Sequence, residues 1–336
     1  RNCQLQKPMA VVVISIPHRN LFLALYLVVE AVAQIRPMKV VIVVLSWNSK
    51  KYIGKCLNSL KKIEAPRIEI ILVDGGSTDG SPKYLKTNYS EFKLIETNKN
   101  LGYAGGNNVG LKYALGQNAD FVWVVNPDIV VDQDSLKEAL KVMTKDNKIA
   151  VVGSKVYFAA GFEFHKNRYT KKDLGKVIWY AGGENDWKNI FAVHYGMNEV
   201  DNGQYDKEKE VDFATGSSML IRCDVLRQVG LLDDKYFLYY EENDLCQRIK
   251  KADYKIMYAP KSVVWHRVGQ ATGIGSSLAD YYIARNRLLF GMRWAPWQTK
   301  FALVRESVRL LFSGRLWQRR GVVDFYLGKW GLGSYA

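Results

Sequence analysis

Short runs of apolar and β-branched residues recur through the first half of the chain: residues 39 to 46 (KVVIVVLS), 68 to 74 (IEIILVD), 92 to 97 and 121 to 126 (FVWVVN). Between them the apolar positions change to helical spacing, as at Tyr52, Ile53, Cys56, Leu57 and Leu60. Runs that are apolar at nearly every position suit strands buried on both faces. Their alternation with helices predicts an α/β fold, a Rossmann-like, mostly parallel sheet with flanking helices and a nucleotide-binding character. Ligands of open α/β sheets lie at the carboxyl ends of the strands. Two acids stand there: Asp74 closes the second run and Asp128 follows the fourth, so they are expected at the exits of neighbouring parallel strands.

Composition changes this picture little. A chain of 336 residues can bury a large core in one domain or two. Cys3, Cys56, Cys223 and Cys246 have no metal-type spacing and read as reduced thiols, as in a reducing compartment. Residues 1 to 37 stand apart. The apolar run from 21 to 33 is short for a membrane span and is interrupted by Glu30. The segment reads as an extension outside the core, with a membrane-facing N-terminal helix as the rival reading.

The candidate chemistry sits in the connections. Ser46, Trp47 and Asn48 end the first strand, where polar groups can hydrogen-bond a base and Trp47 can pack against it; Asn48 or Ser49 serves equally as a helix cap. Residues 74 to 80 (DGGSTDG) form a glycine turn in which Asp79 or Ser77 can cap the next helix while Asp74 is held at the strand exit. Residues 100 to 110 (NLGYAGGNNVG) form a second glycine-rich connection, able to bring backbone N–H groups and a helix N-terminus to a diphosphate. Neither the G-x-G-x-x-G spacing nor a P-loop lysine is present, which weighs against dehydrogenases and P-loop NTPases. In Asn126-Pro127-Asp128 the carboxylate can meet a hard cation held mainly by substrate phosphates, or cap a turn. Thr215 and Gly216 open a later apolar run; Glu241, Glu242 and Asp244 follow an aromatic stretch at a helix start, where acids also suit the macrodipole. His266 ends another apolar run and reads as either a structural residue or a metal ligand.

Taken in order, these motifs resemble the family 2 glycosyltransferases of GT-A fold, in particular their rhamnosyltransferase-like branch, from Met38 to about His266. The resemblance implies an inverting transfer of a sugar from a nucleoside diphosphate donor to a glycan or lipid-linked acceptor in cell-surface polysaccharide synthesis. It implies donor contacts from Ser46, Asn48, Asp74, Gly76, Asn100, Gly102, Gly106, Asn107 and Asn126, and acceptor-side roles for Thr215, Gly216 and Asp244. Asp128, helped by His266, would hold Mg²⁺ or Mn²⁺. Glu242 would be the catalytic base, with Glu241 as its alternative. The family's usual D-x-D offers two acids and this chain only Asp128, which keeps a non-catalytic sugar-nucleotide-binding homologue in view beside a polyprenyl-phosphate glycosyltransferase.

Charge adds a third segment to the expected organisation: an extension (1 to 37), a catalytic domain (38 to 266) and a helical C-terminal segment (267 to 336). The formal charge is +15, and from Arg285 onward ten Lys and Arg stand against Glu306 and Asp324, interleaved with Trp and Phe. Such a segment suits an anionic membrane surface, where each well-placed Lys or Arg contributes roughly 1 kcal/mol, or a solvated helical subdomain on the core. No nucleic-acid-binding motif accompanies the charge. The expected location is cytoplasmic, peripheral on the inner face of the membrane. The polar region from 160 to 210 is expected to be a long loop that selects the acceptor.

Overall fold

The computed structural model describes residues 37 to 64, 67 to 269 and 276 to 335; apart from Pro37, the expected N-terminal extension lies outside them. The first strands and helices follow the alternation read from sequence: β1 (Val40–Ser46), α1 (Ile53–Leu60), β2 (Ile68–Asp74), α2 (Ser81–Asn88), β3 (Lys93–Glu96), α3 (Gly102–Gly116) and β4 (Phe121–Val125). They pair in parallel in the order β3-β2-β1-β4. Val40 to Val44 are at most 1% exposed, so β1 is buried on both faces.

Next come β5 (Ile129–Val131), α4 (Ser135–Met143), β6 (Ile149–Phe158), β7 (Ile178–Tyr180), β8 (Gly183–Asp186), β9 (Phe191–His194), β10 (Lys209–Glu210), β11 (Ser218–Arg222), α5 (Cys223–Val229), α6 (Glu241–Lys251) and β12 (Lys255–His266). β11 inserts antiparallel between β4 and β6, and β12 runs parallel to β6. The sheet is therefore mixed but mostly of one sense: β3, β2, β1, β4, β6 and β12 run the same way. Residues 160 to 210, expected as a loop, carry β7 to β10, with β8 and β9 forming a separate antiparallel pair.

Two features of this frame bear on the site. Asp74 and Asp128 are not at the exits of neighbouring strands, since β1 separates β2 from β4, and Asp128 sits in the turn from β4 to β5. And α3 lies very close to β1: a Cβ on Gly106 would meet Leu45 Cδ1 at 2.5 Å, and one on Gly110 would meet Val43 Cγ1 at 2.3 Å. Most of the glycine-rich segment is thus helix packed on sheet.

The chain ends in α7 (Ser277–Trp294), α8 (Trp297–Ser313) and α9 (Leu316–Tyr326). These build a second apolar cluster with the segment before α6, in which Tyr236, Ile190, Phe290, Leu303 and Val322 are buried. Residues Met38–Ala336 make one compact unit.

Candidate active site

Topology brings Asp128 and His266 together. The end of β12 pairs antiparallel with β5, with His266 opposite Ile129, and the Arg267 N–H donates to the Asp128 carbonyl at 3.0 Å. His266 Nε2 consequently lies 3.3 Å from Asp128 Oδ1, and both side chains are buried. That Oδ1 is buried and makes no hydrogen bond among the described residues. The Trp179 ring meets the His266 ring edge-on at 4.7 Å and the His194 ring likewise at 4.7 Å. Burial pushes the His194 imidazole down to about 4, which keeps it neutral at physiological pH. His194, Trp179 and His266 thus form one packed row that fixes the His266 ring. Among the described residues no cluster of three or more His, Cys, Asp or Glu side chains could hold a metal. Asp128 and His266 can supply two ligands to a hard cation whose remaining positions go to phosphate oxygens and water.

Asp128, but not His266, lines an open cleft. Of the expected donor residues, Asn100, Gly102 and Asn126 line it, together with the expected metal ligand Asp128 and with Trp47, Tyr52, Tyr103, Phe237 and Leu238. The others stand behind it, each for a visible reason. Ser46 is fully buried, its hydroxyl 2.7 Å from that of Ser49. Asp74 accepts from the N–H groups of Gly76 and Ser77 and from the Ser77 hydroxyl at 2.7 to 3.0 Å, so its carboxylate shapes its own turn. Asn48 accepts from the Thr78 N–H at 2.8 Å and ties this turn to the end of β1. Gly76, at φ +74°, is required by the passing backbone of Lys99. Gly106 packs on β1, and Asn107 is buried in α3 with its amide donating to the Tyr103 carbonyl. These residues build the floor that positions the cleft's lining. Asn100 accepts from the Gly102 N–H, and Gly102 is glycine for two reasons: its φ is +72°, and a Cβ would lie 2.4 Å from the Phe237 carbonyl.

Glu241 and Glu242 open α6, behind a segment in which Phe237, Tyr239 and Tyr240 all have left-handed φ between 64° and 73°. Non-glycine residues in this region persist only where their surroundings hold them. Arg285 and Asn286 of α7 supply that hold: Arg285 donates to the carbonyls of Lys235 and Tyr236, and Asn286 to those of Tyr236, Leu238 and Tyr239. Burial pushes both glutamates up, Glu241 further because Glu242 lies beside it. Glu242 accepts from its own N–H and from those of Gly216 and Asn243, which favours its ionised form. Burial and mutual repulsion therefore favour a proton on the pair, and the N–H groups around Glu242 favour the charge there. Burial and the carboxylates of Glu242, Glu241 and Asp128 hold the Tyr103 hydroxyl well above its usual range, and it donates to the Gly216 carbonyl at 2.5 Å.

Three acceptor-side expectations change. Thr215 and Gly216 are buried beneath the glutamates, Gly216 because a Cβ would lie 2.6 Å from the Tyr103 hydroxyl. Asp244 is fully buried and accepts from Tyr236, Arg248, Arg293 and Trp294 at 2.7 to 3.2 Å, so it joins α6 to α7 and has no free face for an acceptor. Tyr103 and Tyr52 were missed as site residues. Tyr52 lines the cleft with a buried hydroxyl that has no partner, and burial and the nearby Asp128 push that hydroxyl up.

Comparison with known proteins bears on this geometry. The profile of Glycosyl transferase family 2 matches residues 41–230. An N-acetylglucosaminyl-diphospho-decaprenol L-rhamnosyltransferase from Mycobacterium tuberculosis is 26% identical over 69% of this chain and 77% of its own length. A low-salt glycan biosynthesis hexosyltransferase, Agl10, from Haloferax volcanii is 24% identical over 74% of each chain. Among solved structures, a mannosyltransferase from Pyrobaculum calidifontis, captured with GDP-Man and Mn²⁺, shares the fold at a TM-score of 0.51 and 15% identity, over 91% of this chain and 81% of its own. The GT-A fold expected from sequence is the one present.

Proposed function

The chain belongs to glycosyl transferase family 2, and on that premise we propose that its cleft takes a nucleoside diphosphate sugar and passes the sugar, with inversion, to a lipid-linked or glycan acceptor during cell-surface polysaccharide synthesis. The observation that carries this reading is that Tyr103, which lines the cleft together with Asp128, feels the charges of Glu242, Glu241 and Asp128, so that the buried glutamate pair at a helix N-terminus and the Asp128–His266 pair stand around one side chain. Family relatives that act on a decaprenol-linked saccharide and in glycan biosynthesis support the acceptor class.

Each group then has a task. Trp47 offers an apolar face, and Asn100, Asn126 and the unpartnered Tyr52 hydroxyl offer polar contacts to the donor. Asp128 and His266 would hold a divalent cation, Mg²⁺ or Mn²⁺, which when bound neutralises charge developing on the leaving diphosphate. Glu242, ionised, takes the proton of the acceptor hydroxyl as that oxygen attacks the anomeric carbon. Glu241, protonated beside it, keeps a second negative charge out of the site. The Tyr103 hydroxyl fixes Gly216, and through it one of the N–H groups that stabilises the Glu242 carboxylate. Peripheral attachment to the inner face of the membrane would bring a lipid-linked acceptor within reach; none of the described helices is long and apolar enough to cross a membrane.

Calorimetric titration with GDP- and UDP-sugars, with Mn²⁺ and with a chelator, tests the donor side. The expected outcome is cation-dependent binding that Asp128→Asn weakens at least about tenfold, by analogy with the loss on altering metal-site groups. Binding that ignores both the chelator and the substitution would remove the cation from the site.

A further inference from the structure

α8 carries an apolar stripe that no described element covers. Trp297, Phe301 and Phe312 are 74%, 69% and 79% exposed, and Val304 and Val308 between them are 38% and 48% exposed. At roughly 100° per residue these positions fall within about 80° of arc along a helix about 25 Å long. The opposite side, with Leu303 and Ser307, is buried against the rest of the protein. Monomeric soluble proteins scatter exposed apolar residues singly; a continuous stripe of large ones marks a contact surface.

The charge around the stripe selects its occupant. Arg305 and Arg309 follow one shoulder of the stripe and Lys300 the other. The pattern recurs on α9 and just beyond it, where Leu316, Val323 and Leu327 are 61%, 43% and 63% exposed beside Arg320, while Arg319 is held by the carbonyls of Gly314 and Phe312. A second copy would bring the same arginines face to face. Anionic headgroups beside acyl chains complement both components. Not all the basic residues of this segment serve this end: Arg285 is buried, Arg287 pairs with Glu306, Arg293 with Asp233 and Asp244, and Arg315 with Asp280.

We propose that α8 lies in the surface of an anionic phospholipid bilayer, with Trp297, Phe301 and Phe312 inserted among the acyl chains and Arg305 and Arg309 at the headgroups. The inference deepens the lipid-linked-acceptor reading and rests on it for its purpose. Such a helix lies on the bilayer and does not span it, so attachment is reversible and sensitive to salt.

The test uses the full chain and phosphatidylcholine vesicles with and without phosphatidylglycerol. Sedimentation should show binding to the anionic vesicles that falls as salt rises. Brominated acyl chains should quench tryptophan fluorescence, and Trp297→Phe should remove most of that quenching. Phe301→Ser with Phe312→Ser should weaken binding about tenfold or more, while donor hydrolysis in solution stays unchanged and the thermal midpoint confirms folding. Absence of binding at low salt, or binding indifferent to these substitutions, overturns the proposal. So does self-association in solution that the double substitution abolishes without vesicle binding, since the stripe would then belong to a second copy. Stripe-dependent vesicle binding by an enzyme that glycosylates only soluble acceptors upholds this inference and overturns the acceptor reading instead.

Discussion

Glu241 and Glu242 are adjacent in sequence and both buried, yet their surroundings separate their tasks. Three N–H groups turn toward Glu242, whereas Glu241 meets mainly desolvation and its neighbour's charge. Glu242→Gln should therefore keep donor binding and lower transfer about 10²- to 10⁴-fold, the usual cost of losing a general base. Because burial raises the Glu242 carboxyl, the acid limb of kcat/KM should lie above the ordinary glutamate value and vanish in this variant; an unshifted limb, or near-normal turnover, moves the base elsewhere. Glu241 gives a stability test with a definite sign. An acid whose folded pKa is raised stabilises the protein below its unfolded pKa, and that contribution is lost as pH rises through the folded value. Glu241→Gln, which fixes the neutral form, should accordingly melt higher than the wild type at pH 8, with the difference closing as pH falls; equal melting points at every pH would mean that Glu241 is not held protonated. Legibility at this scale was uneven. The pairing of Asp128 with His266 is what the family resemblance implies, and their places just after and at the end of apolar runs agree with it. Asp244 could not be assigned, because an acid in the first turn of a helix looks the same whether it faces a cleft or a buried arginine. Tyr52 reads as one apolar position at helical spacing and Tyr103 only as a member of the glycine-rich segment, and their hydroxyl environments are what distinguish them.

At the scale of elements, the segment before α6 is held open by α7. Asn286 donates to three carbonyls of a stretch whose φ values are left-handed, and that stretch delivers both glutamates. Asn286→Leu should lower stability by about 1 to 3 kcal/mol for an orphaned buried carbonyl, read from urea unfolding. It should also lower kcat more than it raises KM for the donor. A stability loss with kcat intact would make the contact purely structural. The parallel half of the sheet was legible because strands buried on both faces leave uninterrupted apolar runs. The remainder was less so. Glycines that let a helix approach a strand, as Gly106 and Gly110 do, have the same sequence signature as glycines that cradle a phosphate, so a packed helix was read as a ligand loop. Residues 160 to 210 read as a loop because β7 to β10 are only two to four residues long, too short for alternation to show.

For the whole molecule, the C-terminal helices do two things at once. Their inner sides complete the apolar cluster around Tyr236 and hold the segment before α6, and the outer side of α8 stays apolar and basic. Sequence offered a packed subdomain and a membrane surface as alternatives for this segment. Opposite faces of the same helices fit both, a distinction that a count of charges cannot make. The central claim remains the inverting transfer carried out by Glu242 beside the Asp128–His266 pair. It is tested most directly by letting water replace the acceptor: the enzyme is incubated with Mn²⁺ and α-linked GDP-, UDP- and dTDP-sugars, and proton NMR reads the first anomer released. The account expects the β-anomer from at least one donor, with release suppressed in Glu242→Gln; release of the α-anomer, or β-anomer formed equally well without Glu242, would contradict it.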